Sequence, residues 1–148
     1  MKYNARLRRL IEKHEGRVAH AYTDSLGYLT IGIGHLVDQR KGGSLPDEII
    51  NAIFDYDLNQ VEAAMPDWMQ KLDEVRKAVL TDMFFNLGPE PFDGDGYKDW
   101  PIFIRQIKEG KYAEAATNMR ATLWAKQVKG RALRLAEMME SGEWPSDV

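Results

Sequence analysis

The sequence contains no cysteine. Disulfides, thiolate zinc sites and thiol nucleophiles are therefore excluded. It has only 3 histidines in 148 residues, scattered without metal-ligand spacing, so neither a metal nor a cofactor is expected. No apolar run is long enough to span a bilayer, so no stable membrane insertion is expected. The amphipathic start MKYNARLRRLIEK lacks the apolar centre of a secretory signal, which implies synthesis and retention in the cytoplasm. Internal repeats and low-complexity linkers are absent too. A net charge of −3 argues against a dedicated nucleic-acid binder, which carries a strong positive field.

The length fits one domain with a sizeable core, and 44% apolar residues beside 29% charged ones describe an ordinary globular chain. Charge is unevenly spread. Arg6, Arg8, Arg9, Lys13 and Arg17 crowd the first predicted helix, and Lys126, Lys129, Arg131 and Arg134 crowd a late segment. The plain reading is a solvated face; the sharper one is local attraction for an anionic polymer.

Apolar spacing predicts a first helix from about Asn4, a good N-cap, to about Glu15. Tyr28 to Gly34 alternates with a period of two and predicts a strand. Asp24-Ser25-Leu26-Gly27 has Asp first and Gly fourth, as in a type I turn, so a small β-hairpin follows the helix. Ser44 with Asp47 resembles a capping box for a second helix, stopped by Pro66. Leu72, Val75, Val79, Leu80, Met83, Phe84 and Leu87 mark a buried third helix, ended by Gly88-Pro89. Shorter helices are predicted at about 100–109, 112–125 and 130–141. The fold class is α+β, mostly helical, with one small sheet near the N-terminus.

The stretch HEGRVAHAYTDSLGYLTIGIGH, residues 14–35, gathers the candidate chemistry. Leu7, Ile11 and Glu15 are spaced four apart, so Glu15 extends an apolar helix face. Desolvation there favours the protonated form that a general acid needs. Alone, Glu15 is an ordinary helix-end carboxylate, Asp24 a turn cap and Thr30 a residue that suits strands. The alternation puts Leu29, Ile31 and Ile33 on the core face, and Tyr28, Thr30 and Gly32 on the other. An aromatic, a hydroxyl and a gap suit a sugar ring. Two carboxyl groups in different environments are what glycoside hydrolysis requires.

The run EG-x6-YTDSLGYLTIGIGHL resembles the active-site segment of the T-even phage lysozymes, glycoside hydrolase family 24. The likeness continues in order through FFNLG at 84–88, EAA at 114–116, Trp124, GRALR at 130–134 and the GEW that ends at Trp144. It implies a two-lobed lysozyme-like fold in a single catalytic domain, residues 1–148. The small lobe would take about 14–50, a connecting helix about 45–65, and the helical lobe about 67–148 with the first helix. It also implies hydrolysis of peptidoglycan between N-acetylmuramic acid and N-acetylglucosamine. Glu15 would be the general acid, with Asp24 and Thr30 orienting water. Leu36, Phe85 and Asn118 fall on sugar-cleft positions. Arg131 falls on a partner of the catalytic acid, and His35 with Asp57 on a structural pair. The resemblance further implies a monomer made in the host cytoplasm, reaching the wall through a holin-permeabilised membrane.

Departures from the pattern are a shortened segment after the hairpin, Phe103 where the T-even enzyme carries a hydroxyl, and a longer loop at 89–101. FDGDGYKD in that loop fails as an EF-hand, because position twelve is Ile104 rather than Glu. Trp124 and Trp144 are expected in the helical core. Two other functions use the same features. A lytic transglycosylase needs one acid and no water-activating carboxylate, and a noncatalytic wall-binding module needs neither. Asp24 and Thr30 at the family spacing favour hydrolysis.

Overall fold

The computed structural model describes residues 5–37, 44–87 and 100–148, and the backbone of 92–93 and 96–97. Asn4 and most of the loop 89–101 lie outside the described residues. The chain is α+β and mostly helical, with a small antiparallel sheet near the N-terminus. It divides into two compact units, Met1–Ile53 and Phe54–Val148.

The first unit opens with α1, Ala5–Glu15. Gly16, at φ 79°, turns the chain out of the helix while its N–H still donates to the Glu12 carbonyl at 2.8 Å. Strands β1 (Val18–Thr23) and β2 (Leu29–Gly32) form the expected hairpin. Gly27 N donates to the Asp24 carbonyl at 3.0 Å, closing the four-residue turn. The alternating run is not one strand, however. It folds back after Gly32, and β3 (His35–Leu36) pairs antiparallel with β2. Both Gly32 and Gly34 are left-handed, at φ 70° and 64°, which is how so short a loop reverses.

Helix α2 is Asp47–Ala64, and the boundary between the two units falls inside it. The capping box at Ser44 does not form. The helix starts after Pro46, whose carbonyl accepts from Ile49 and Ile50, while Ser44 N donates to Val37 at 2.9 Å. Proline at the helix entry displaces the cap because its fixed φ already suits the first turn.

The second unit is a helical cluster of α3 (Asp67–Gln70), α4 (Glu74–Leu87), α5 (Pro101–Lys108), α6 (Tyr112–Arg120), α7 (Leu123–Val128) and α8 (Gly130–Ser141). A two-stranded ladder, β4 (Phe92–Asp93) with β5 (Gly96–Tyr97), lies between α4 and α5 in sequence. The α4 stripe is buried as expected: Val79, Leu80, Met83 and Phe84 are fully enclosed with Met119 and Met139. Helix α8 packs on α4, α6 and α7. The helix expected over 112–125 is two, because the Thr122 hydroxyl accepts from Ala125 N at 3.1 Å and starts α7 anew.

Arg76 ties three helices together. Its Nε donates to the Met139 carbonyl at 2.8 Å and a terminal nitrogen to the Glu140 carbonyl at 3.0 Å, both at the end of α8. The guanidinium also lies 3.7 Å from the centroid of the Tyr112 ring on α6. A cation at a helix C-terminus satisfies carbonyls that have no intrahelical partner.

Candidate active site

Glu15 is the last residue of α1, and its side chain reaches the β2–β3 loop. A β-carbon placed on Gly34 would come within 2.5 Å of Glu15 Oε2, so this carboxylate occupies the space that glycine leaves. Glu15 is exposed, and α1 buries no residue. The desolvation expected from its apolar helix face is therefore not supplied by the first unit itself.

Asp24 sits at the hairpin turn. Its Oδ1 accepts from Leu26 N at 2.9 Å and Tyr28 N at 2.8 Å. Two backbone donors on one oxygen fix the carboxylate's orientation. The other oxygen accepts no hydrogen bond from a described residue. That oxygen is open to a further donor.

Thr30 differs from its expected exposure. At 3% exposed it is the most buried residue of the strand. The cause is the unforeseen third strand. Thr30 pairs with Tyr22 on one side and Leu36 on the other, and directly opposed residues share a sheet face. Its neighbours cover it. The Thr30 hydroxyl donates to the Tyr28 carbonyl at 3.2 Å, and the same carbonyl accepts from Asp24 N at 2.8 Å. Tyr28 thus links Asp24 to Thr30, and with its proton directed at Tyr28 the Thr30 oxygen is oriented to accept.

The other candidates are distributed over both units. Leu36 faces solvent beside Thr30, and His35 pairs with Ile31. Asp57 is an exposed residue of α2 in the second unit. Phe85 packs edge-to-face on Phe54, with centroids 5.6 Å apart. Together with Leu58, Arg131 and Trp144 they line a largely apolar pocket of about 470 Å³. Arg131 donates from Nε to Asp82 Oδ1 at 2.7 Å and from a terminal nitrogen to the Asp82 carbonyl at 3.2 Å. Asn118 lies in a different pocket, of about 500 Å³, bordered by Leu87, Trp100, Phe103, Trp124 and Gln127. Its amide donates to Gln106 Oε1 at 3.3 Å.

Phe103, one of the departures from the family pattern, is buried in the core. Trp124 is buried as well and donates from its indole to Asn86 at 2.9 Å. Trp144 departs from the expectation of a core residue, being 45% exposed at the pocket beside Phe85. Gly34 and Asp82 were not singled out from sequence, and Tyr28 was noted for its ring rather than for its carbonyl. Of the first two, Gly34 alone left a signal, as the second glycine of an apolar GIG run.

A mostly helical α+β chain with a helix-end glutamate against a β-hairpin, and an aspartate at the hairpin turn, has the makings of a lysozyme. The phage lysozyme family profile matches residues 12–138. The chain belongs to that family, and membership supports a peptidoglycan-hydrolysing lysozyme. Similar proteins include a probable T4-type lysozyme 1 of Dictyostelium discoideum, 26% identical over 90% of this chain and 92% of its own length. The endolysin of Salmonella phage P22 is 30% identical over 80% of each chain. The pre-baseplate central spike protein Gp5 of Enterobacteria phage T4 is 24% identical over 97% of this chain, which spans 29% of that protein. Among the described residues no cluster of side chains could hold a metal ion, and no helix is long and apolar enough to cross a membrane.

Proposed function

We propose that this chain is an endolysin-type muramidase, cleaving the β-1,4 bond between N-acetylmuramic acid and N-acetylglucosamine to lyse the host cell. Glu15 is the general acid that protonates the leaving oxygen. Asp24 uses its unbonded carboxylate oxygen, and Thr30 its hydroxyl oxygen, to hold the attacking water. One acid and one water-orienting carboxylate are the components of inverting hydrolysis, which calls for a carboxyl separation of roughly 6.5–9.5 Å. The anomer first released, followed by NMR, tests that assignment.

The observation that carries the reading is the division of labour at Asp24: one oxygen fixed by two backbone N–H groups, the other left for water. That arrangement favours hydrolysis over transglycosylation, which needs no such oxygen. Leu36, Phe85 and Asn118 are assigned to sugar contacts, and Arg131, His35 and Asp57 to supporting roles. The enzyme acts as a monomer on the wall, entered from the host cytoplasm through holin-made lesions. Digestion of purified walls tests the reaction: free reducing ends support it, whereas anhydro-sugar ends, or no cleavage, refute it.

A further inference from the structure

A single residue, Lys129, separates α7 from α8. Its N–H donates to the Ala125 carbonyl at 2.9 Å and closes α7, while its carbonyl accepts from Leu133 N at 3.2 Å and opens α8. The joint holds Lys129 at φ 47° and ψ −111°. Among the described residues it is the one non-glycine at positive φ. These angles are close to the first central position of a type II′ turn, where glycine dominates because a β-carbon crowds the backbone. The sequence does supply a glycine, Gly130, but one position late, where the backbone is not left-handed. The strain therefore falls on Lys129. Such strain persists only where the surrounding structure holds it.

Two anchors hold it, both on α4. Trp124 of α7 donates to Asn86 Oδ1 at 2.9 Å, and Arg131 of α8 donates to Asp82 Oδ1 at 2.7 Å. Asp82 and Asn86 stand one helical turn apart, on the same face of α4. The two anchored helices are unequal. Helix α8 buries a row of residues from Ala132 to Met139, whereas α7 buries Trp124 alone. Release of the joint therefore moves α7 rather than α8. Helix α7 is also a wall of the pocket at Asn118, which Leu123, Trp124 and Gln127 line. We infer that α7 is a hinged wall of the Asn118 pocket, and that strain at Lys129 lowers the cost of swinging it out to admit a glycan strand. The ligand rests on the proposal that Asn118 contacts a wall sugar. Opening breaks the Trp124–Asn86 hydrogen bond but lets Lys129 relax to ordinary backbone angles, and the second effect offsets part of the first. A strand that needs the open form associates in proportion to its population.

The test compares Lys129→Gly with Lys129→Gln, both in the Glu15→Gln background so that no strand is cut. Glycine removes the strain, and its relief outweighs the extra freedom glycine gains on opening. Hydrogen exchange of the Trp124 indole N–H, followed by NMR without ligand, should slow by about threefold to thirtyfold in Lys129→Gly. Association of soluble, peptide-free glycan strands, followed by stopped-flow tryptophan fluorescence, should slow by a similar factor. Lys129→Gln loses the charge but keeps a β-carbon and hence the strain, so both rates should match the parent. The inference is overturned if exchange does not slow in Lys129→Gly, or if the glutamine variant reproduces the change. It is also overturned if exchange slows while strand association is unaltered, because a merely structural strain would do that. Reducing-end release by the wild-type protein is read separately. Its absence would refute the hydrolase reading, while the exchange comparison still reports on the hinge.

Discussion

The carboxylate of Glu15 occupies the place where a side chain on Gly34 would begin, 2.5 Å from that residue's virtual β-carbon. Gly34 is also left-handed, at φ 64°. Two independent requirements, backbone conformation and clearance for the acid, therefore fall on one glycine. Gly32 shares the first requirement, at φ 70°, but its virtual β-carbon meets nothing within 4 Å.

This difference separates stability from positioning. Alanine at either glycine should cost about 1–2 kcal/mol for the left-handed backbone. Only Gly34→Ala should also displace Glu15, lowering wall turnover by about tenfold to a hundredfold in the folded protein. Urea denaturation and reducing-end release on both variants check this. Equal turnover in the two would contradict the role given to Gly34.

The proposal gives Asp24 two jobs that substitution can divide. Asparagine keeps an oxygen for Leu26 N and Tyr28 N but loses the charge, whereas alanine loses both. Asp24→Asn should unfold within about 0.5 kcal/mol of wild type and lose hydrolysis. Asp24→Ala should lose hydrolysis and a further 1–2 kcal/mol or so for the unanswered backbone donors. Thermal or urea midpoints beside the wall assay distinguish the two effects.

The buried Thr30 hydroxyl yields a related expectation. Thr30→Val preserves the shape that Tyr22 and Leu36 cover, so the sheet should persist at a cost of about 1 kcal/mol. Turnover should collapse, and Thr30→Ser should recover part of it. Full activity in the valine variant would remove Thr30 from the water site.

Acid should weaken the second unit through Asp73. Partial burial tends to raise its carboxyl, but hydrogen bonds from the Arg76 backbone N–H and guanidinium outweigh this and hold it below its ordinary 3.8. A carboxyl depressed in the folded state contributes fully above its unfolded value. That contribution fades as pH falls through the folded one. Urea midpoints of wild type should therefore drop below about pH 4 more steeply than those of Asp73→Asn. Because Asp73 is partly exposed, the effect is modest, and parallel profiles would contradict it.

Much of the helical architecture was legible because its signals are local. The α4 stripe from Val75 to Phe84 is continuous and buried throughout, and Pro66 marks the break after α2. What escaped depends on tertiary neighbours or on competing caps. Alternation assigned Thr30 to an open face, yet a two-residue strand at His35–Leu36 covers it. Ser44 looked like a cap, but Pro46 already starts the helix. The apolar pattern over 112–125 ran straight through Thr122, whose hydroxyl divides it. Trp144 had the composition of a core residue and stands at a pocket rim instead. At the hairpin, Glu15, Asp24 and Thr30 were each ordinary alone and stood out only through the resemblance of the whole segment to the phage lysozymes. The Tyr28 carbonyl that connects two of them could not, since any residue supplies a carbonyl.

The most direct test is Glu15→Gln, which keeps the side chain's shape against Gly34 and removes the transferable proton. Circular dichroism and urea denaturation should match wild type, while reducing-end release from purified walls falls by at least about a hundredfold, the scale of a lost general acid. A folded Glu15→Gln protein that digests walls at the wild-type rate would contradict the account.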